Sequence, residues 1–232
     1  MKNLAQQFQE RNKKVAINRW QNSLSRQKNE LPTTPESYYL RAMICGFLAG
    51  DGSVQVRAEK TITHYQIDFF PDDELMLQTY MDGINKIYNK SPSIRIEKRF
   101  FKVRVTSRLI VEDLLRYAQF GLKKWNMPNE NLLSIPGAKE AWLRAFFSAE
   151  AYVGNDHIKV QTVNEKGMHL ISKTLTELEI LHHNYTYTPK KLNYSKVFII
   201  MITSRLGLIT YFKKIGFWHF RKTSKLREAL GL

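Results

Sequence analysis

Two stretches of the sequence, 44-ICGFLAGDG-52 and 143-LRAFFSAEA-151, are similar to each other and determine how the rest is interpreted. Each is mainly apolar and has one acid near its end, Asp51 in the first and Glu150 in the second. Each also carries two small residues four positions apart, which are Gly46 and Gly50, and Ala145 and Ala149. Small residues at i and i+4 share one face of a helix and let two backbones approach closely. The pattern predicts two buried helices that pack on each other and bring the two carboxylates side by side.

A second pair of similar segments lies downstream of these stretches. The segment 103-VRVTSRL-109 is repeated as 200-IMITSRL-206, a shift of 97 residues, and the two acids are 99 residues apart. Two matches at nearly the same offset indicate a duplicated unit of just under 100 residues. Such a unit is too long for a solenoid repeat and is typical of a tandem pair of domains.

Hydrophobic periodicity predicts the order α-β-β-α-β-β-α in each copy, and therefore an α+β fold of two repeats related by a pseudo-twofold axis, each with a four-stranded antiparallel sheet. The first copy is predicted to have helices over 38–49, 72–88 and 107–120 and strands over 53–58, 63–70, 93–98 and 101–106. The second copy is predicted to have helices over 138–149, 165–180 and 204–215 and strands near 151–156, 158–163, 183–188 and 196–203. The predicted domains are a basic N-terminal helical extension (1–35), the first repeat (36–127), a linker (128–137), the second repeat (138–220) and a C-terminal helix (221–232).

Composition narrows the class of partner. Of the 232 residues, 43% are hydrophobic, and 36 Lys and Arg against 21 Asp and Glu give a net charge of +15. The lone cysteine, Cys45, excludes an internal disulfide and a cysteine-rich zinc site. No apolar run approaches the roughly 18 residues of a membrane span, and the polar start MKNLAQQFQERNKK does not predict a secretion signal. We expect a protein of the cytoplasm, or of an organelle matrix if an organelle encodes it, whose partner is a nucleic acid and not a membrane.

The two quoted stretches resemble the paired motifs of single-chain LAGLIDADG homing endonucleases, and the resemblance covers roughly residues 37–220. It implies a saddle of two sheets on the major groove of double-stranded DNA, with the motif helices at its centre and one chain acting as a monomer. It also implies Mg²⁺ (or Mn²⁺) held by Asp51 and Glu150, with the backbone carbonyls of Gly50 and Ala149 as further ligands, and hydrolysis of both strands. Carboxylates, carbonyls and water are the ligands that Mg²⁺ prefers.

A basic residue near the metal is common in that family. The resemblance assigns this catalytic role to Lys124, and less directly to Lys123, after the third helix of the first repeat. In the second repeat Arg221 or Lys222 would be the counterpart.

Strand alternation predicts which side chains face the DNA, because one face of each sheet packs on helices and the other stays open. In the first copy, the residues predicted to face the core are Val54, Val56, Ile67, Phe69, Ile94, Ile96, Val103 and Val105. Those predicted to face the DNA are Ser53, Gln55, Arg57, His64, Gln66, Asp68, Arg95, Glu97, Lys102 and Arg104. In the second copy, the DNA-facing candidates are Asn155, Lys159, Gln161, Tyr185, Tyr187, Lys190, Lys191 and Lys196. Donors and acceptors mixed in this way suit base edges as well as phosphates. The strand 197–202 is apolar on both faces and gives no prediction.

Two functions remain open. The first is a site-specific, metal-dependent double-strand DNA endonuclease that is intron-encoded and free-standing. The second is a DNA- or RNA-binding protein on the same fold that has lost cutting, such as an intron maturase bound to intron RNA, or a regulator. Two departures from the family pattern motivate the second function: Ala151 in place of the glycine that usually follows the second acid, and Phe70-Pro71 where a polar residue is often found. The second copy retains the polar Asn164 at the equivalent place.

Overall fold

The computed structural model describes residues 23, 24, 27, 30–60, 62–190 and 194–232, and the structure discussed below lies in the compact unit Thr33–Leu232. Of the predicted N-terminal extension (1–35), only residues 23, 24, 27 and 30–35 are among the described residues. Within the described ranges, no helix combines the length and apolar character needed to cross a bilayer.

The first repeat has the predicted order of elements. Its helices are α1 (Pro35–Asp51), α2 (Glu74–Tyr88) and α3 (Arg108–Leu115). Its strands are β1 (Gly52–Glu59), β2 (Ile62–Phe69), β3 (Ser93–Ile96) and β4 (Phe101–Thr106), which form an antiparallel sheet in the order β1-β2-β4-β3. α3 ends well before the predicted residue 120, because the backbone N–H groups of Arg116 and Tyr117 bond to carbonyls three residues back and tighten the last turn.

The second repeat follows the same order after a short helix in the linker, α4 (Glu130–Leu133), which the sequence did not predict. Its helices are α5 (Ala138–Glu150), α6 (Glu165–Glu177) and α7 (Arg205–Lys214). Its strands are β5 (Tyr152–Val153), β6 (Ile158–Thr162), β7 (His183–Tyr187) and β8 (Val197–Ile202), in the order β5-β6-β8-β7. The C-terminal helix α8 (Phe220–Leu230) completes the chain that the structure describes.

The duplicated Thr-Ser-Arg-Leu segments have the same structural role in both copies, since each ends a strand and begins a helix. Ser107 and Ser204 are the N-cap residues of α3 and α7. Their hydroxyl groups accept hydrogen bonds from the backbone N–H groups of Ile110 and Gly207, three residues further on. Such caps satisfy N–H groups that have no partner within the first turn.

The centre of the first sheet faces the helices as predicted, and Ile67, Phe69, Val103 and Val105 are buried. The register also places Val56, Ile94 and Ile96 on this face as predicted, since they oppose Tyr65, Val103 and Phe101, but they are 49%, 41% and 83% exposed. Exposure increases along β1 and continues throughout β3, because these parts of the sheet extend beyond the helices that cover its centre.

A buried ion pair joins the three helices of the first repeat. Arg41 in α1 and Asp113 in α3 are each 1% exposed, and Arg41 Nε donates to Asp113 Oδ2 at 2.7 Å. The hydroxyl of Tyr88, at the end of α2, donates to the same oxygen at 2.8 Å. Buried charges are tolerated only when they are paired and hydrogen-bonded, so this carboxylate fixes the three helices relative to one another.

Candidate active site at the helix seam

The two motif helices α1 and α5 pack directly on each other through the predicted small residues. A Cβ atom added at Gly50 would lie 2.5 Å from the Cβ of Ala149, which is closer than real Cβ atoms come to other atoms. One added at Gly46 would lie 2.9 Å from the Cβ of Ala145 and would also collide with the backbone carbonyl of Trp142. Glycine in α1 is therefore required by the close approach of the helices, as the sequence predicted.

Asp51 and Glu150 end these two helices, and the close packing brings their charges together. Burial, followed by the charge of Asp51, raises the pKa of Glu150 to about 7, while Lys222 opposes the rise. The pKa of Asp51 is raised as well, by burial first and then by Asp72, against the opposing charges of Lys222 and His219. Two carboxylates that share a site resist simultaneous ionisation, and a divalent cation relieves that repulsion.

Lys222 brings a cation from α8 to the same place. Its Nζ donates to the backbone carbonyl oxygens of Ser148 at 2.6 Å and Ala149 at 2.8 Å. Burial lowers the pKa of Lys222 and outweighs the raising effect of Asp72, Asp51 and Glu150. The ammonium group thus lies beside both motif acids and contacts the Ala149 carbonyl that the resemblance assigned to a metal.

The segment between β2 and α2 adds two carboxylates that the sequence analysis did not include. Asp72 Oδ1 lies 3.4 Å from Nε2 of His219, and Asp73 Oδ2 lies 3.3 Å from Nδ1 of the same ring. Asp73 Oδ2 also accepts a hydrogen bond from the backbone N–H of Phe220 at 3.0 Å, which attaches the start of α8 to the first repeat. Asp72 follows Phe70-Pro71 and raises the pKa of Asp51, and an Asp pair directly after a strand and a proline is the signal that could have revealed it.

The other basic candidates have exposed side chains. Lys124 is exposed in a turn, and it is not among the groups that shift the pKa of either acid. Nζ of Lys123 donates to the hydroxyl of Ser195 at 2.7 Å, in the connection between β7 and β8, and Arg221 is exposed. Of the basic candidates named from the sequence, Lys222 is the one that contacts the end of a motif helix, because α8 leads the chain back to the seam whereas the chain after α3 continues into the linker.

Asn164 is not free to act at the site. It is buried, and its Oδ1 accepts the backbone N–H of Gly167 as the N-cap of α6. Its amide nitrogen donates to the carbonyl of Trp125. The polar residue that the second copy retains is therefore a structural cap.

A cavity of about 400 Å³ opens beside Glu150. Gly50, Gln161, Leu122 and Val197 are among the residues that line it. Two of the predicted metal ligands, Gly50 and Glu150, thus share one opening with Gln161, a predicted DNA-facing residue of the second sheet.

The strand register places the DNA-facing candidates of the first sheet on one face. The directly opposed pairs are Ser53 and Asp68, Gln55 and Gln66, Arg57 and His64, Asp68 and Arg104, and Arg95 and Lys102. Opposed residues project to the same face of a sheet. Glu97 follows the end of β3 and is exposed. Asp68 differs from the rest because its carboxylate is buried and accepts hydrogen bonds from Nε of Arg104 and from Nε2 of Gln66, both at 2.7 Å.

The second sheet places Lys159, Gln161, Tyr185 and Tyr187 on one face. Asn155 lies in the turn between β5 and β6, and Lys190 and Lys196 lie between β7 and β8, while Lys191 lies outside the described residues. The same face also carries residues that strand alternation left unassigned, which are Tyr152, His183, Val197, Ile199 and Met201. Alternation could not assign β8, because its residues are apolar on both faces.

No family model matches this sequence. Solved structures with the same fold include I-DmoI in complex with DNA and Mn, which is 16% identical with a TM-score of 0.57 over 78% of this chain and 97% of that one. I-AabMI bound to uncleaved DNA is 12% identical with a TM-score of 0.51 over 82% and 89% of the two chains. The N-terminal LAGLIDADG domain of DUF199/WhiA is 14% identical with a TM-score of 0.50 over 84% and 90%. The chain therefore has the α+β fold of the LAGLIDADG homing endonucleases, and the predicted fold class is confirmed.

A curated sequence also matches. A DNA polymerase of Thermococcus kodakarensis is 25% identical over 213 residues, which cover 84% of this chain. The chain spans only 12% of the length of that polymerase.

Proposed function

We propose that this protein is a LAGLIDADG homing endonuclease, a monomeric, intron-encoded enzyme that hydrolyses one phosphodiester in each strand of a specific DNA site. The observation that carries the proposal is the pair of carboxylates, Asp51 and Glu150, at the seam of two helices held together through small residues. A fold by itself hosts many functions, so the proposal depends on this pair.

Asp51 and Glu150 suit a divalent cation such as Mg²⁺ or Mn²⁺, because burial raises the pKa of both carboxyls and the charge of Asp51 raises that of Glu150 further. Among the described residues, no three or more His, Cys, Asp or Glu side chains are grouped to hold a metal. The other ligands would be the backbone carbonyl of Gly50, water and phosphate oxygens, since the carbonyl of Ala149 already accepts a hydrogen bond from Lys222. When bound, the ion supplies an activated water and stabilises the leaving oxygen. The related I-DmoI has been solved with DNA and Mn and with DNA and Ca.

The remaining groups at the seam position the acids and the phosphate. Lys222 holds the carbonyls of Ser148 and Ala149, which fixes the end of α5 and the direction of Glu150. Its ammonium charge also suits a scissile phosphate that has to approach two carboxylates. Asp72 provides a third acceptor near Asp51, on the side of the first repeat.

The open sheet faces would bind duplex DNA. The net charge of +15 suits a polyanion, and the first sheet offers Arg, Lys, Gln and His side chains on one face. Arg104 is held by Asp68, so its guanidinium is oriented before DNA arrives.

The test is cleavage of a plasmid that carries the uninterrupted insertion sequence of its own intron. With Mg²⁺ or Mn²⁺ the protein should convert the supercoiled plasmid to the linear form. Asp51→Asn and Glu150→Gln should reduce the cleavage rate by at least about a hundredfold, which is about 2.7 kcal/mol of transition-state stabilisation, and should leave binding in Ca²⁺ largely unchanged. Asp82→Asn, which changes an exposed acid on α2, is the matched control and should cut normally.

Other outcomes would contradict the proposal. Tight binding of the plasmid site without cutting in any divalent ion would identify a binding protein that has lost nuclease activity. Preferential binding of the folded intron RNA over the duplex would identify a maturase.

A further inference from the structure

The open face of the second sheet carries a row of apolar side chains along an inner strand. On β8, Ile200 and Ile202 are buried on the helix side. The alternate residues Val197, Ile199 and Met201 are partly exposed on the opposite side, and we call these three the apolar stripe.

Polar and aromatic side chains border the stripe. In register with Ile199 are Gln161 on β6 and Tyr185 on β7. In register with Met201 is Lys159. Tyr185 is exposed, so the stripe and its neighbours form one accessible surface.

The first repeat has different chemistry at the equivalent places. The shift of 97 residues that relates the two copies aligns Lys102 with Ile199 and Arg104 with Met201. Lys102 and Arg104 lie on the open face of β4, which is the third strand of its sheet as β8 is of the other. The duplicated fold therefore presents two cations in one half and two apolar side chains in the other.

Apolar side chains can recognise one base edge in the major groove. The 5-methyl group of thymine is the apolar group presented there, and the remaining edges carry hydrogen-bond donors and acceptors. A Gln side chain can form paired hydrogen bonds with N6 and N7 of adenine. Gln161 and Ile199 are direct neighbours, so an adenine and a thymine methyl could be contacted together. Exposed lysines in the connection between β7 and β8, Lys190 and Lys196, carry the charge that phosphates require.

We propose that the second repeat recognises A·T base pairs in its half of the DNA site, with Ile199 and Met201 against thymine methyl groups and Gln161 on adenine. The first repeat reads its half-site through hydrogen bonds from charged and amide side chains. This assignment rests on the proposed binding of duplex DNA, and it makes Ile199 and Met201 specificity-determining residues.

The test begins with selection. The full chain is incubated in Ca²⁺ with a pool of randomised DNA duplexes, and the bound duplexes are sequenced. T·A and A·T pairs should be enriched at neighbouring positions in one half-site and not in the other.

Removing the methyl groups is the decisive step. The selected duplex is remade with deoxyuridine in place of thymidine, in one half-site at a time, which deletes the methyl group and preserves base pairing. Loss of each contacted methyl group should weaken the affinity about fourfold, which follows from the free energy of burying one such group. The loss should occur in the A·T-rich half-site only.

Variants connect the effect to the stripe. Ile199→Ala should weaken binding of the thymidine duplex and remove its sensitivity to deoxyuridine at one position. Ile199→Lys, which introduces the residue type of the first repeat, should shift the selected base away from thymine. Leu206→Ala is the matched control, since Leu206 is an apolar residue 63% exposed on α7, and it should keep the thymine preference. Thermal unfolding of each variant verifies that it is folded.

The outcomes separate the inference from the proposed function. Tight binding that is indifferent to deoxyuridine in both half-sites would overturn the inference and leave the DNA-binding function intact. Failure to bind any duplex would overturn both. A concentration-dependent dimer that Ile199→Lys dissociates would instead assign the stripe to contact between two copies of the chain, and would also overturn the inference.

Discussion

Exchanging two small residues between α1 and α5 tests the packing that places the motif acids. In Gly50→Ala the new Cβ would lie 2.5 Å from the Cβ of Ala149, whereas carbon atoms are most stable about 3.5–4.0 Å apart. The helices must separate by about 1 Å, and overpacking of this kind costs about 1–3 kcal/mol. The better helix propensity of alanine offsets about 1 kcal/mol of this overpacking cost. Gly50→Ala should therefore destabilise the protein by about 0–2 kcal/mol.

The reverse substitution should rescue it. Ala149→Gly alone should cost about 1 kcal/mol from propensity. In the double variant Gly50→Ala/Ala149→Gly, the methyl group has moved to the other helix and the propensity changes cancel. Its stability should return to within about 0.5 kcal/mol of the original protein, which is an interaction energy of about 1–3 kcal/mol. Urea unfolding followed by circular dichroism measures each value.

The neighbouring pair provides an internal control. A Cβ at Gly46 would collide with the backbone carbonyl of Trp142 as well as with Ala145, and no substitution removes a carbonyl oxygen. Ala145→Gly should therefore fail to rescue Gly46→Ala. Rescue at both pairs, or an interaction energy near zero at the Gly50 pair, would refute the described packing.

Three further substitutions test other parts of the structure. Asp113→Asn removes the carboxylate of the buried ion pair and should lower the free energy of unfolding, measured by thermal denaturation, by about 3–5 kcal/mol. Its control is Arg116→Ala, which removes a guanidinium that is 60% exposed and 3.7 Å from the same carboxylate; it should cost under about 1 kcal/mol. Asn164→Ala removes the cap of α6 and the hydrogen bond to the Trp125 carbonyl and should cost about 1–3 kcal/mol in guanidinium unfolding, with part of the loss recovered in Asn164→Asp. Lys222→Met removes the charge that lowers the pKa of Glu150, so carboxyl NMR should find a pKa above 7. An acid whose folded pKa exceeds its unfolded value loses stability as pH rises between the two values. Both proteins should therefore lose stability from about pH 4.5 upward, and only the variant should continue to lose it above about pH 7; an unchanged pKa would contradict the described seam.

The element order and the motif acids could be predicted because both depend on local patterns. Periodicity shows which face of a helix or strand is apolar. The duplication also shows the same strand-to-helix junction in both copies, at Ser107 and Ser204. The ends of strands were less predictable, because the exposure of Ile96 depends on how far the helices extend across the sheet.

The choice among the basic candidates, which included Lys222, could not be made from the sequence for a different reason. Lys124 and Lys222 both follow the last helix of a repeat, and their local sequences do not distinguish them. Only the path of α8, attached at Phe220 to Asp73 in the first repeat, brings Lys222 to the motif helices. Asp72 could not be predicted as a site residue, because it is connected to the seam through His219, which is far from it in the sequence.

The placement of Lys222 has a consequence for the order of chemical events in the proposed nuclease. An ammonium group contacts the backbone that ends α5, whereas the lysine at the corresponding place after the first repeat, Lys124, is open to solvent. The scissile bonds of the two DNA strands would then lie near different basic side chains, although the two repeats are related by a pseudo-twofold axis. Cutting should proceed at two distinct rates, and a singly nicked, open-circular plasmid should accumulate before the linear product.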